Sequence, residues 1–382
     1  MKALAVPLGV LGLGLAVALI AWRGAADMAD ALVAVGWGLV AVVLWESLPI
    51  LLDSLSWRAL LRGPDRPGLG AVARARWIRQ SVNQLLPVFS IGGEVVGARV
   101  LAAGGLSGAA AGASVVVDLT LAVVTQAVFT LFGLALLVIH YGHGGAAGPV
   151  LIGTAVLLLC AFGFFLAQRG GLFGFLAKIP ASATGDTWLA LVGGAERLDG
   201  EVRALYRLPG ALWRNALWQM ASWIAGAGEV WLALYFMGHP VGIVEALVIQ
   251  SLGRAVRSAA FMVPGGLGVQ EGGYMVIAGL LGLGPDVGLA LSLVKRVREI
   301  AVGVPALLAW QWAEGRRWWR GCAVARTGEG LRIGFRFGCA DAGASVGGDL
   351  IIFASCAAAS LGYVAGGRLS RSIGAWPTTL WG

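Results

Sequence analysis

Two stretches of the chain share a pattern that decides how its surroundings fold. The first, QSVNQLLPVFSIGGEVVGAR, runs from Gln80 to Arg99, and the second, RSAAFMVPGGLGVQEGGY, runs from Arg257 to Tyr274. In each, a proline precedes a glutamate by seven residues, and glycines lie between them. Proline and clustered glycine end helices, so each stretch predicts a helix, a break and a second helix. The residues assigned to the breaks are Pro87, Gly92, Gly93, Pro264, Gly265, Gly266, Gly268 and Gly272.

The composition of the chain places these stretches in a membrane. Of its 382 residues, 58% are hydrophobic and 13% are charged, against about 45–50% and about 25% in soluble domains. This excludes disorder, a coiled coil and most soluble enzymes, and 16 tryptophans fit a water–lipid interface. The net charge of +8 indicates basic cytoplasmic loops and anionic lipid heads rather than nucleic acid. We therefore expect an all-α polytopic membrane protein.

Six segments are apolar over the roughly 20 residues that a spanning helix needs. They lie near residues 3–22, 31–52, 110–138, 149–167, 215–237 and 286–312. The first is also open to interpretation as a signal peptide cleaved after Ala26. Residues 1–314 then form the membrane domain, and residues 315–382 form a Gly-, Ala- and Arg-rich tail.

The distribution of Lys and Arg predicts the orientation of these segments. Ser56–Gln80 carries six arginines and Gln168–Arg214 six basic residues, whereas His140–Gly148 has no Lys or Arg. The first two segments are expected in the cytoplasm, with the N-terminus, and the third outside. Residues 81–108 must then cross an even number of times, most simply zero, and residues 241–312 an odd number.

We call this requirement on the number of crossings the crossing rule. It predicts that the two broken stretches are re-entrant hairpins that open to opposite sides of the membrane. Backbone that is not helical is tolerated at depth only against protein or a water-filled cavity. A matched pair of Gly/Pro-broken segments is typical of a transporter's binding site in an inverted repeat. The alternative reading is that each Pro/Gly cluster is simply a loop.

Charged residues inside the apolar segments are the candidate site, because acids and bases in a membrane are expensive and usually functional. Glu94 and Glu271 have three open roles: accepting from the broken helices, pairing with an arginine, or carrying a proton. The basic residues suggest a lining for an anionic or polyhydroxylated head group. The predicted substrate-binding residues are Asn83, Gln84, Glu94, Arg254, Arg257, Gln270, Glu271, Lys295 and Arg298.

Purely structural roles are also open for several of these residues. Lys295 and Glu299 have the spacing of a helical ion pair, and the three amides are also suited to satisfying free backbone groups. Asp118 and Glu229 are expected either to pair across helices or to line the cavity. Glu46 and Asp53 are expected near a membrane face.

Signatures of soluble catalysis do not occur in the sequence: it has no G-x-S-x-G, P-loop, H-E-x-x-H or dinucleotide fingerprint. We expect no enzyme activity, cofactor or metal. Two rival hypotheses are an intramembrane lipid-modifying enzyme, with Glu94 or Glu271 as general base, and a scaffold for lipid-synthesis enzymes.

The motifs at Asn83–Arg99 (NQLLP, GGE, GAR) and Pro264–Gly273 (PGGLGVQEGG) resemble the flippase-like family named for the transmembrane region of lysylphosphatidylglycerol synthases. Within it they are similar to the hopanoid-biosynthesis-associated subgroup. The resemblance implies a bacterial inner-membrane protein that moves extended hopanoids toward the outer membrane. Its implied partners are membrane lipids, hopanoid or anionic, and lipid-synthesis enzymes. The tail 315–382 is too short for the soluble catalytic domain of the aminoacyl-transferring members.

A conflict over cargo remains between these two lines of reasoning. Basic residues favour a phosphate-bearing head group, that of a phospholipid or a polyprenyl-phosphate lipid. Extended hopanoids mostly offer hydroxyls.

Overall fold

The computed structural model describes residues 35–63, 66–85, 92–142, 162, 165–166, 195–259 and 269–327. Within these ranges the chain is helical with short connections and has no strand, which confirms the all-α class. The helices are α1 Gly38–Trp45, α2 Ser47–Leu60, α3 Leu69–Leu85, α4 Gly92–Ala102, α5 Gly108–Tyr141, α6 Ala195–Tyr206, α7 Pro209–Phe236, α8 Ile243–Ala259, α9 Val269–Leu280 and α10 Pro285–Thr327.

Two helical segments in the described ranges are long and apolar enough to cross a membrane. α1 and α2 continue through Glu46 as one stretch of 23 residues, and α5 has 34 residues. At 1.5 Å per residue these lengths are about 35 Å and about 51 Å, against a hydrocarbon core of about 30 Å. α7 and α10 have 28 and 43 residues but are more polar, so the number of crossings stays a prediction.

Local sequence signals set the ends of the long helices. The Ser107 hydroxyl accepts a hydrogen bond from the Ala110 N–H at the start of α5, and Gly142 ends the helix in the left-handed conformation. Pro209 begins α7 at the position where its missing N–H is not needed. These caps fix where the apolar segments stop.

The long helices run in the directions that the crossing rule requires. α2 and α7 are antiparallel: Ser56 and Asn215 exchange two side-chain-to-carbonyl hydrogen bonds of 3.1 Å, and the Trp45 indole donates to the Ala225 carbonyl further along. α5 runs parallel to α7, because Asp118 meets Asn215 and Thr125 meets Trp223. The side of the membrane on which each end lies stays a prediction.

Each broken stretch is flanked by two antiparallel helices in close contact. In the first, α3 packs on α4, where Asn83 lies against Gly93 and Arg79 against Gly97. In the second, α8 packs on α9, and a Cβ on Gly253 would lie 2.6 Å from the Tyr274 hydroxyl. These are helical hairpins. Their tips, with Pro87, Pro264, Gly265, Gly266 and Gly268, lie outside the described residues, and insertion into a membrane from opposite sides stays a prediction.

The first arms of both hairpins reach the same part of α10. The Trp77 indole on α3 donates to the Val302 carbonyl over 2.9 Å, and Leu85 at the end of α3 packs against Gly303. Arg257, near the end of α8, pairs with Glu299. The two hairpins therefore converge on one turn of α10.

The structure adds detail to one predicted segment and shortens the predicted breaks. Ser56–Gln80 is mostly helical, because α2 continues to Leu60 and α3 begins at Leu69. Arg79, near its end, is buried and has acidic partners inside the protein. The breaks are shorter than predicted, because Gly92 and Gly93 lie in the first turn of α4, and Gly272 lies in the first turn of α9.

Several predicted features lie outside the described residues: the segment 3–22, its reading as a signal peptide, and nearly all of 149–167. The chain divides into a large unit, Leu11–Gln311, and a second unit that includes the chain from Trp312. α10 continues to Thr327, beyond the predicted boundary at residue 314, which stays a prediction. All features of the site belong to the large unit.

Candidate functional site

Asn83 joins the two arms of the first hairpin. Its side-chain oxygen accepts a hydrogen bond of 2.9 Å from the Gly93 N–H, and its amide nitrogen donates to Glu94 over 3.1 Å. The first N–H groups of a helix have no partner within the helix, so Asn83 caps α4 from another helix. Gly93 has to be glycine here, because a Cβ would collide with the Arg79 carbonyl and the Asn83 side chain.

The buried Arg79 guanidinium is the charge centre of the first hairpin. It lies 2.5 Å from the Glu94 carboxylate and 2.7 Å from that of Asp118 on α5. Neighbouring Arg76 pairs with Asp53 over 2.6 Å. Asp118 also accepts hydrogen bonds from two α7 amides, those of Asn215 and Gln219. Every carboxylate in this cluster therefore has a basic partner.

The second hairpin is tied to α10 by two ion pairs. Arg257 on α8 pairs with Glu299, and Glu271 on α9 accepts from Arg296 over 2.8 Å. The expected pair of Lys295 with Glu299 is therefore wrong. Glu299 pairs with Arg257 on α8, and Lys295 pairs with Glu229 on α7, rather than with each other along α10. The facing helices bring charges of opposite sign into the same buried region.

A buried network links α10 to the antiparallel helices. Lys295 donates to Glu229 on α7 over 3.0 Å, and Arg298 lies 2.9 Å from Glu229 and 3.1 Å from Glu46. Glu46 also accepts from Gln80 on α3 and is only 3% exposed. Asp53 likewise has a partner inside the bundle, Arg76. That Glu46 and Asp53 lie near a membrane face stays a prediction.

A small cavity lies where the two hairpins meet α10. Its volume is about 20 Å³, room for about one water molecule. Gln84 reaches it from the first hairpin, and the rest of the lining comes from the second hairpin and α10. The lining residues are Gln84, Gly253, Arg254, Arg257, Gln270, Tyr274, Lys295, Arg298 and Glu299.

This lining contains polar atoms without partners. The side-chain oxygens of Gln84 and Gln270 are buried and accept no hydrogen bond, and Gln270 as a whole is 3% exposed. A buried acceptor that stays unpaired costs about 1–3 kcal/mol. Each unpaired buried group calls for an explanation, and a donor bound in the cavity would supply the missing hydrogen bonds of these two oxygens.

Arg254 is the unpaired cation of the cavity. Among the described residues no carboxylate lies within ion-pair distance of its guanidinium, which instead lies 4.6 Å from the centre of the Trp223 ring. The other three cations of the lining all pair with carboxylates, namely those of Glu46, Glu229 and Glu299. The cavity and its ion-pair partners therefore carry one positive charge in excess, and this charge is on Arg254.

The structure brings together six of the nine predicted substrate-binding residues in this cavity. They are Gln84, Arg254, Arg257, Gln270, Lys295 and Arg298. The other three are elsewhere: Asn83 and Glu94 belong to the first hairpin's cluster, and Glu271 pairs with Arg296 beside the cavity. The assignment of these residues to substrate stays a prediction.

The predicted substrate-binding set did not include eight residues of the ion-pair clusters: Glu46, Asp53, Arg76, Arg79, Asp118, Glu229, Arg296 and Glu299. Asp118 and Glu229 pair across helices, one of the two roles expected for them. The sequence could have indicated Asp118 and Glu229 as site residues, because each is the single acid of an otherwise apolar segment. Arg79 precedes Pro87 as Arg257 precedes Pro264, and this repeat pointed to a paired role.

Apolar helices, buried ion pairs and two converging helical hairpins define the class of this protein, a polytopic all-α membrane protein with a polar interior. The chain belongs to the family described as lysylphosphatidylglycerol synthase TM region, which matches residues 9–306. No curated protein and no solved structure was found to match it. Family membership makes it a membrane protein with a lipid-related function.

Proposed function

We propose that this protein is a lipid transporter, rather than a lipid-modifying enzyme, in the inner membrane of a bacterium, with its N-terminus in the cytoplasm. The observation that carries the proposal is the cavity that both hairpins and α10 line, with Arg254 and two amide oxygens unpaired. A polar head group passes through this region while the acyl or polycyclic part stays in the bilayer. Inverted-repeat transporters place their sites in this way, near the midplane between broken helices.

The cavity has to widen for a head group to enter, because about 20 Å³ holds about one water molecule. Two ion pairs tie the second hairpin to α10, Arg257 with Glu299 and Arg296 with Glu271. In the first pair Arg257 is 31% exposed but Glu299 only 3%, whereas both side chains of the second pair keep some exposure, at 13% and 20%. Water can therefore reach both partners of the second pair but only one partner of the first. We infer that the second hairpin moves relative to α10 during transport.

The proposed cargo is an extended hopanoid bound for the outer membrane, on the basis of the resemblance to the hopanoid-associated subgroup. Its hydroxyls would donate to the free oxygens of Gln84 and Gln270. Unpaired Arg254 favours a second candidate, a phospholipid or polyprenyl-phosphate lipid. An arginine fork binds phosphate through two parallel hydrogen bonds.

A lipid census of separated inner and outer membranes, with and without the gene, tests the first candidate. We expect extended hopanoids to be made in both strains but to be depleted from the outer membrane of the deletion strain. Loss of a hopanoid or of an aminoacylated lipid from both membranes would indicate an enzyme and contradict transport.

Arg254→Gln in proteoliposomes tests the site and distinguishes the two cargoes. Transfer of a fluorescent lipid between leaflets is measured for phosphatidylglycerol and for a neutral polyol lipid. We expect at least a tenfold loss for the cargo whose head group meets Arg254, with little change in the unfolding temperature. The matched control is Arg203→Gln, which removes an exposed arginine on α6. Equal rates for Arg254→Gln and the control with both lipids would remove the cavity from the mechanism.

A further inference from the structure

A second concave polar site lies at one end of the bundle, away from the hairpin cavity. Its volume is about 360 Å³, within the usual range for small-molecule sites. Three arginines line it from two separate parts of the chain: Arg62 and Arg66 follow α2, and Arg214 lies in the first turns of α7. Because α2 and α7 are antiparallel, the end of one and the start of the other share one end of the bundle.

The arginines of this site have no acidic partner in the part of the chain that the structure describes. Among the described residues no carboxylate lies within ion-pair distance of Arg62, Arg66, Arg214 or neighbouring Arg58. The hydrogen bonds they make go to backbone carbonyls: Arg66 donates to the Arg58 carbonyl over 2.8 Å, and Arg214 donates to that of Gly210 over 3.0 Å. Partial burial and the three neighbouring arginines lower the pKa of Arg66 from its usual value. Like charges held this close leave the site short of negative charge.

The face of α7 beside Arg214 places this site at the boundary of the hydrocarbon. Trp213 is 69% exposed and Leu217, one turn later, is 63% exposed. Tryptophan is enriched where the hydrocarbon meets the head groups. With Trp213 at this interface, the arginines beside it would lie at the depth of the lipid phosphates.

We propose that Arg62, Arg66 and Arg214 form a binding site for the phosphate of an anionic phospholipid. Arginine suits this ligand, because its planar fork matches two phosphate oxygens and it is weakly hydrated. The orientation predicted from Lys and Arg puts the site in the cytoplasmic leaflet. It binds a resident lipid and does not depend on transport through the hairpin cavity.

The test is the unfolding temperature of the purified full chain in neutral detergent, with phosphatidylglycerol or with phosphatidylcholine added. A ligand that binds only the folded state raises this temperature as its concentration exceeds Kd. We expect stabilisation by phosphatidylglycerol and at least fivefold less by phosphatidylcholine. The variant Arg62→Gln/Arg66→Gln/Arg214→Gln should lose this difference.

The matched control is Arg197→Gln/Arg203→Gln/Arg207→Gln, which removes the same charge from three exposed arginines near α6. It should keep the preference for phosphatidylglycerol. The variant Arg62→Gln/Arg214→Gln leaves the Arg66 bond to the Arg58 carbonyl intact, and it should lose most of the preference even where the triple variant folds poorly.

Three outcomes would overturn the proposal. An equal loss in the α6 control would show general charge attraction, and unchanged preference in the double variant would place the lipid elsewhere. Stabilisation by glycerol 3-phosphate at the same concentration as by phosphatidylglycerol would show a site for free phosphate. None of these results depends on whether the chain transports lipid.

Discussion

The two hairpins have similar sequences, yet they handle charge in opposite ways. Around the first, Arg76 and Arg79 face the carboxylates of Asp53, Glu94 and Asp118, so one negative charge is in excess and every carboxylate has a basic partner. Around the second, Arg254 has no carboxylate partner among the described residues, and Gln270 has an unpaired acceptor in the cavity, to which the first hairpin contributes Gln84. The first hairpin is thus built as a fixed support, and the second retains capacity to bind a ligand.

This difference predicts that removing a charged side chain around the first hairpin lowers the stability of the fold. Removing one around the second hairpin should instead reduce lipid transfer. Arg79→Gln leaves Glu94 and Asp118 buried without their shared cation, so the free energy of unfolding should fall by about 3–5 kcal/mol. Chemical unfolding in mixed micelles measures it.

The double variant Arg79→Gln/Asp118→Asn also removes one of the two carboxylates that paired with Arg79, although Asp118 still has Arg76 at 3.8 Å, and it should recover part of that loss. If Arg79→Gln is as stable as the native chain, the first hairpin is not a charge-fixed support.

Two glycines that the sequence groups together should respond in opposite directions. Gly93→Ala places a methyl group against the Arg79 carbonyl and the Asn83 side chain, and overpacking of this kind costs about 1–3 kcal/mol. Gly272→Ala meets no atom within 4 Å and should stabilise α9 by up to about 1 kcal/mol. Unfolding of the two variants side by side checks this, and similar effects would contradict the tight contact in the first hairpin.

Gln270→Leu separates ligand binding from stability in the second hairpin. It removes a buried acceptor that has no partner, so stability should stay the same or rise by about 1 kcal/mol. Lipid transfer in proteoliposomes should fall several-fold. A variant that is both less stable and fully active would mean that Gln270 has a structural role only.

The smallest effect is expected at the start of the second hairpin. The Tyr141 hydroxyl donates to Glu245 over 2.6 Å and, as the largest cause, lowers the pKa of that carboxyl. A carboxyl whose pKa is lowered in the folded state stabilises the fold fully at pH values above its ordinary pKa of 4.5. This stability is lost as the pH falls through the lowered pKa.

Tyr141→Phe should therefore reduce the unfolding temperature slightly at pH 7 and by less at pH 3. Glu245→Gln is the matched control and should show the same dependence on pH. An equal shift at both pH values would mean that the hydroxyl stabilises the fold without involving the charge on Glu245.

The sequence was enough to identify the hairpins and most of the cavity. Proline, glycine and glutamate at fixed spacing predicted two helix pairs, and six of the nine predicted residues line one cavity. The signals are local: helix breakers act on their own backbone, and charges are conspicuous in apolar segments. The extent of the breaks was overestimated, because Gly93 and Gly272 are compatible with a helix once packing or a cap supports it.

The sequence by itself determined the class of protein, the relative directions of the long helices and the positions of the hairpins, because apolar length, the distribution of Lys and Arg and backbone breakers can all be read from contiguous residues. Only the tertiary structure decided the pairing of the charges. In it Lys295 pairs with Glu229 rather than with Glu299, Glu46 is buried, and Arg254 has no carboxylate partner among the described residues. An ion pair in a bundle depends on which helix faces the residue, and residues far apart in the chain set that geometry.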